Sequence, residues 1–169
     1  LVEGKPSGVN GMLRFDMDAL PIQEETGLDF ASQRTGVMHA CGHDGHMAIG
    51  VTTARMLQEQ HANLDGNIRC IFQPAEEGEG GARRMILDGV LTHPRPDFIL
   101  GLHLWNEKPV GWVGLTTGTL MAGADIFDVR IEGKGGHGAI PHEAVDPIVA
   151  AAHIVTSLQS IVSRNISPL

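Results

Sequence analysis

Three short strand-like runs, separated by helical patterns, limit what this chain can fold into. Met12-Leu-Arg-Phe-Asp-Met-Asp18 alternates, with Leu13, Phe15 and Met17 on one side and Arg14, Asp16 and Asp18 on the other. That is the period of a strand. Pro21 lies just beyond it, and proline cannot continue a central strand. Asn67 to Gln73 reads as a short buried strand that stops at Pro74. Asp97 to Leu104 is a nearly continuous apolar run, as expected of a central parallel strand covered on both faces. Between the runs, Met47, Val51, Ala54 and Leu57 form a helical stripe that begins after Gly45 and reaches about His61, with Asp44 as N-cap. Gly80 to Asp88 reads as a second, shorter helix stopped by Gly89. Strands alternating with helices over residues 11–105 imply βαβ units. The expected fold is α/β, a mostly parallel sheet with helices on both faces.

The pattern changes near residue 120. Residues 110–123 are rich in Gly, Thr and Val and read as short strands or a crossover. Asp125 to Glu132 then alternates cleanly, as a half-exposed strand would, unlike the buried runs before it. Gly133-Lys-Gly-Gly-His-Gly138 is a glycine loop, and Asp146-Pro147 opens a helix with an N-cap and a proline at its first position. Ile148, Ala151, Val155, Leu158 and Val162 make its apolar stripe. Residues 1–120 therefore read as one domain and 121–169 as the start of a smaller α/β domain. The chain begins with Leu and stops just after a helical pattern, so an internal fragment of a longer protein is expected, with the remainder of both domains outside it.

In open parallel sheets, sites lie at the carboxyl ends of the strands. Asp16 and Asp18, Glu76-Glu77 and His103 all fall at or just past such ends, and the loop after the first strand carries His39-Ala-Cys-Gly-His-Asp-Gly-His46. Thiolate and imidazole are the ligands that borderline-soft divalent metals prefer. A single histidine there would read as an exposed neighbour of a helix cap. A Cys-Gly-His group reads as part of a metal site. Adjacent carboxylates repel unless a cation or proton intervenes, and Glu76-Glu77 alone would be an acidic turn. Beside the Cys/His cluster, one ligates metal and the other serves as general base for a metal-activated water. His103, alone, would be a core histidine; its strand-end position makes it a ligand. Cys41, His43, Glu77 and His103 are the candidate ligands, a set that fits one metal or two. Asp16 is expected to orient a ligand or the base, and Asp18 reads equally as a turn residue before Pro21. Cys41, just ahead of a helix N-terminus, is expected to have a depressed pKa. His137, between glycines, reads either as a contact for a substrate oxyanion or as a flexible hairpin tip.

Composition excludes several classes. A net charge of −8, with no basic cluster denser than Arg83-Arg84, does not suit nucleic acid. The longest apolar run, Phe98 to Trp105, is too short to span a bilayer, and residues 1–6 lack the apolar core of a signal peptide. Two cysteines, one of them in a ligand cluster, suit a reducing, cytoplasmic setting. Two other readings stay open on residues alone. Gly78-Glu-Gly-Gly81 sits between strand and helix as a phosphate-binding turn in a non-catalytic module would. Cys41 could instead be a nucleophile with His43 or His46 as its base.

Five motifs narrow the choice. Arg14-Phe-Asp-Met-Asp-Ala-Leu-Pro21, His39 to His46, Gln73-Pro-Ala-Glu-Glu-Gly78, Gly101-Leu-His103 and Gly133-Lys-Gly-Gly-His-Gly-Ala-Ile-Pro141 occur in this order. Together they resemble the aminoacylase/carboxypeptidase-type metallopeptidase family, in the amidohydrolase branch that includes hippurate hydrolases and indole-acetyl-amino-acid hydrolases. The resemblance covers essentially the whole chain. It implies a zinc-peptidase-like catalytic domain with a dinuclear site, holding divalent ions such as Mn, Zn, Co or Ni. A smaller inserted lid domain would carry the homodimer contact. The family's ligands match Cys41, His43, Glu77 and His103, with one more histidine beyond Leu169. Glu76 matches the general base, Asp16 the aspartate that supports the metal site, and His137 the lid histidine that contacts the substrate carbonyl. The implied reaction is hydrolysis of the amide bond of N-acyl amino acids or related small amides. The fragment alone is expected to bind metal weakly and not to turn over.

Overall fold

The structure is a computed structural model that describes residues 1–6, 8–78, 80–123 and 125–166. Glu79, within the glycine turn considered for phosphate, and the terminal Ser167-Pro-Leu169 lie outside the described residues. The elements run β1 (Val2–Glu3), β2 (Val9–Asp16), α1 (His43–Glu59), β3 (Gly66–Gln73), α2 (Gly81–Leu87), β4 (Phe98–Gly101) and α3 (Pro147–Ser160). The chain forms two compact units, Leu1–Pro109 and Val110–Leu169.

The first unit is α/β, as the alternation of runs implies. One sheet has the order β1-β3-β2-β4. β2 lies parallel to both β3 and β4, and β1 pairs antiparallel to β3 at the edge. Register sets Asp16 opposite Gln73, and Arg14 opposite both Ile71 and Gly101. The three parallel strands therefore end at one edge of the sheet. Side chains alternate between the two faces. Phe15 and Phe72 are paired on one face, with ring centroids 5.6 Å apart. Met12, Arg14, Ile71 and Gln73 line the other face, against Ala82, Met85 and Ile86 of α2. Met12 and Phe15 are buried, each worth roughly 1.5–3 kcal/mol relative to exposure.

α1 packs on the phenylalanine face, and the stripe the sequence suggests is only partly on it: Met47, Ala54 and Leu57 are half-buried. Val51 is exposed, and the buried residues of the helix are His43, His46 and Gly50. The reason is steric. A Cβ at Gly50 would lie 2.8 Å from both the Phe15 and Phe72 rings. Only a glycine lets the helix come so close to the sheet, and the packed face is centred on it. The helix also begins earlier than expected. Its N-cap is Gly42, in the left-handed conformation at φ 79°, and no side chain caps it. Asp44 is not the cap; it sits in the first turn, where its carboxylate accepts the Gly45 N–H at 2.9 Å.

Two strand expectations are corrected. β2 ends at Asp16, which leaves Asp18 in the following loop. β4 is shorter than the run from 97 to 104 and is an edge strand with all four residues exposed, not a covered central one. β2 pairs with one side of it, and among the described residues no strand pairs with the other.

In the second unit, α3 forms as expected. Asp146 accepts the Ile148 N–H at 2.8 Å and Pro147 opens the helix. Its stripe residues Ile148 and Val155 are exposed, and Val162, also exposed, lies past the end of α3 at Ser160. The alternating segment 125–132 forms no strand, because among the described residues no ladder partner lies beside it. A single bridge joins Lys134 to Val145. Among the described residues, no helix is long and apolar enough to cross a membrane.

The close approach at position 50 is testable. Gly50→Val is expected to destabilise the fold by about 1–3 kcal/mol through overpacking against the two rings. Equilibrium unfolding in urea would show it, and wild-type stability would contradict the packing described.

Candidate metal centre

His43, the first residue of α1, stands at the middle of the site. It is fully buried, and its Nδ1 lies 3.2 Å from Asp18 Oδ1. An ionised carboxylate only accepts, so Nδ1 carries the proton and Nε2 presents its lone pair. That Nε2 is buried and, among the described residues, has no hydrogen-bond partner. Asp16 Oδ1 and Glu77 Oε1 are each 3.7 Å away, and Glu76 Oε2 is 3.9 Å away. Buried nitrogens are seldom left unpaired. A bare lone pair ringed by carboxylates just beyond bonding distance is an arrangement that a divalent cation completes.

Cys41 and His103 form the second wall. Sγ of Cys41 is 3.4 Å from His103 Nε2, and His103 Nδ1 donates to the Leu104 carbonyl at 2.7 Å. Both histidines thus turn an Nε2 lone pair inward. Cys41, His43 and His103 bring ligand atoms within 4.8 Å of one another, and so do His43, Glu76 and Glu77. The donor set of one thiol, two imidazoles and two carboxylates fits a borderline-soft divalent ion.

The expected depressed pKa of Cys41 is overturned. Burial, and then the Glu77, Glu76 and Asp16 carboxylates, push the thiol up to about 11. Burial and nearby negative charge together outweigh any help from the helix N-terminus. The imidazole that meets Cys41 is His103, not His43 or His46. Both facts run against an activated thiolate nucleophile.

The two glutamates sit on a turn after β3. Ala75 has φ 52°, rare for a residue with a side chain. Its carbonyl accepts the Gly81 N–H at 3.0 Å, and the Glu77 N–H donates to Asp18 Oδ2 at 3.0 Å. These bonds aim Glu76 and Glu77 towards His43. Glu76 is the more exposed of the two, with Oε1 4.0 Å from an Arg14 guanidinium nitrogen.

Asp16 lies at the end of β2 and is buried. It accepts from Arg14 Nη1 at 2.6 Å and from His46 Nδ1 at 2.5 Å. Burial alone would raise its pKa, but the His46 bond and the Arg14 charge hold it below the ordinary carboxylate range. The carboxylate that orients His43 is Asp18, whose two oxygens serve His43 and the Glu77 backbone. Its burial is likewise outweighed by these bonds, and its pKa is lowered. Of the readings left open for Asp18, the turn residue before Pro21 does not account for these bonds, and its spacing of two from Asp16 is the signal for them. His46, weighed above as a base for Cys41, has a different place. It lies one helical turn from His43, and its Nε2 accepts the Leu104 N–H at 2.9 Å. With both ring nitrogens engaged, it is not free to ligate.

His137 belongs to the second unit. It is exposed in its glycine loop, and its Nδ1 accepts the Ala139 N–H at 3.1 Å. That loop and the start of α3 line an open hollow within the unit.

Comparison with known proteins adds an independent line. Residues 12–167 match peptidase family M20/M25/M40. An N-acetyl-L-cysteine deacetylase of Bacillus subtilis is 50% identical over 168 residues, covering 99% of this chain and 40% of the relative. An N-acyl-L-amino acid amidohydrolase of Geobacillus stearothermophilus is 48% identical over 167 residues, covering 98% of this chain and 45% of the relative. The chain thus spans less than half the length of these relatives. A crystal structure from Bacillus subtilis, described as a dinuclear metal-binding peptidase of the M20 family, superposes with a TM-score of 0.73. It is 41% identical, with 94% of this chain and 41% of that one covered.

The burial of Cys41, together with the carboxylates beside it, has a measurable consequence. In metal-free protein at pH 8, a thiol with a pKa of about 11 is ionised in about one molecule per thousand, against about one in ten at 9.0. Iodoacetamide is expected to modify Cys41 slowly at pH 8 and faster as the pH rises towards 11, as followed by peptide mass spectrometry. Rapid labelling at neutral pH would contradict it.

Proposed function

This chain belongs to peptidase family M20/M25/M40, and on that footing we propose that it carries the metal-binding half of an amidohydrolase active site acting on N-acyl amino acids or related small amides. The observation that carries the reading is the buried, unpartnered His43 Nε2 beside Cys41 and His103 and facing three carboxylates. Cys41, His43, Glu77 and His103 would hold the metal. A dinuclear site is supported by the solved M20 peptidase, which is described as dinuclear. Mn, Zn, Co and Ni are the ions that suit the donor set. When bound, such ions polarise a carbonyl and lower the pKa of a water.

The remaining chemistry falls to the chain's own side chains. Glu76 takes a proton from the attacking water as its oxygen bonds to the acyl carbon. It then passes that proton to the amide nitrogen as the C–N bond breaks, releasing a free amine and a carboxylate. Its greater exposure, and its place between Arg14 and His43, support this division from Glu77. Asp18 holds His43 in the tautomer that turns Nε2 inward. Asp16 neutralises Arg14 and bonds His46. His137 is assigned to the substrate carbonyl oxygen on the strength of its glycine-loop motif. Acyl amino acids as substrates are supported by the relatives' names, a deacetylase and an acyl-amino-acid amidohydrolase. The reading includes a catalytic domain to residue 120, a lid that begins at 121 and carries a homodimer contact, and cytoplasmic residence, the last supported by two free cysteines.

Glu76→Gln in the full-length enzyme is expected to keep its metal content and lose at least roughly 10²-fold in kcat, the low end for a missing general base. Metal analysis beside steady-state kinetics would check it, and a near-normal kcat would remove Glu76 from the role. Chelation is expected to abolish activity, and added Mn²⁺, Zn²⁺, Co²⁺ or Ni²⁺ to restore it.

A further inference from the structure

We propose that His46 is a positioning residue whose ring fixes the aim of His103 towards Cys41. The inference rests on the metal reading above and concerns a side chain given no part in it. His46 is fully buried. Its ring stacks on His43 with centroids 5.3 Å apart and meets His103 edge-on at 4.7 Å. It is a wedge between two ligand imidazoles.

Its hydrogen bonds explain what the wedge does. The Leu104 N–H donates to His46 Nε2 at 2.9 Å, so Nε2 must carry a lone pair and Nδ1 the proton. Nδ1 then donates to Asp16, which Arg14 also holds. A line of bonds runs from the Arg14 guanidinium through Asp16 and His46 to the peptide nitrogen that directly follows His103. The same residue's carbonyl accepts from His103 Nδ1 at 2.7 Å. Leu104 is therefore held at both polar atoms of its backbone, one by His46 and one by the ring that has to be aimed. With Nδ1 committed, His103 can present only Nε2 to Cys41.

This anchor matters because of where His103 sits. The β4 ladder ends at Gly101. His103 lies two residues past it and is exposed, and among the described residues no strand pairing holds its backbone. His43 has a helix and Asp18 to orient it, whereas His103 has a peptide held by His46. Groups that orient a metal ligand are typically worth 10–100-fold in metal affinity.

The two bonds of His46 can be separated. Asparagine keeps a donor for Asp16 but no acceptor that reaches Leu104, while glutamine places its carbonyl oxygen where Nε2 was. In the full-length protein, H46N is expected to weaken Zn²⁺ binding about 10–100-fold, and H46Q to stay within roughly threefold of wild type. The measurement is Zn²⁺ titration of apo-protein against a chromophoric chelator, with thermal melts to confirm folding. In an H103A background, H46N is expected to cost less than about twofold more, because coupled residues do not add. Wild-type affinity in H46N overturns the proposal, as does a loss in H46Q equal to that of H103A, or a full further loss on the H103A background. Wild-type protein that binds no Zn²⁺ overturns the metal reading and this inference together, whereas binding that H46N leaves unchanged overturns this inference alone.

Discussion

The parallel pairing of β2 with both β3 and β4 is the constraint on which the rest of the first unit depends. Register sets Asp16 beside Gln73 and Arg14 beside Gly101. Three chain segments far apart in sequence therefore leave the sheet at one edge and on one level. Each then carries its polar cargo a few residues further. Asp18 follows β2, the two glutamates follow β3, and His103 follows β4. A slip of one residue in either pairing would turn Asp16 to the opposite face and separate it from His46. Hydrogen bonding along the ladder is thus what converts scattered acids and histidines into a cluster.

The cluster is electrostatically one-sided. Asp16, Asp18, Glu76 and Glu77 converge on imidazoles and a thiol, and Arg14 is bonded to Asp16. The effects differ by residue. Carboxylates with good donors, Asp16 and Asp18, keep their charge. Cys41 is held back by burial and by the Glu77, Glu76 and Asp16 carboxylates, and keeps its proton. A bound divalent ion would reverse this balance for the thiol while leaving the Asp16–Arg14 pair in place. The arrangement is therefore complementary to positive charge before any arrives.

Much of this was legible in the sequence, and the remainder was hidden for physical reasons. The strand-end position of His103 and of the glutamate pair followed from alternation of periods alone, and the Asp146-Pro147 helix start was read directly. Hydropathy found the packed face of α1 only in part, because its fully buried residues are a glycine and two histidines, with Met47, Ala54 and Leu57 half-buried. Val51 fitted the stripe and lies in solvent. Asp18 and Asp16 look alike on the page. Which of them holds His43 depends on where the β2 ladder stops, and element ends are weakly encoded. β4 reads as a covered strand because its composition is apolar, but composition does not say which strands flank it. Residues 125–132 show the same gap: alternation describes a surface and not its partner.

The turn at Ala75 carries a consequence for how this site can vary. At φ 52° the backbone holds a conformation that costs of order 1–3 kcal/mol for any residue with a Cβ. Glycine there would relax the turn, yet it would widen the range of directions open to the two glutamates that follow. A branched side chain would keep them confined and deepen the cost. Alanine is the smallest side chain that still narrows the backbone's choices. Stability and aim therefore pull position 75 in opposite directions, and the range of residues compatible with both is narrow. A cluster whose two glutamates come from a turn depends in this way on a side chain that is not itself part of the cluster.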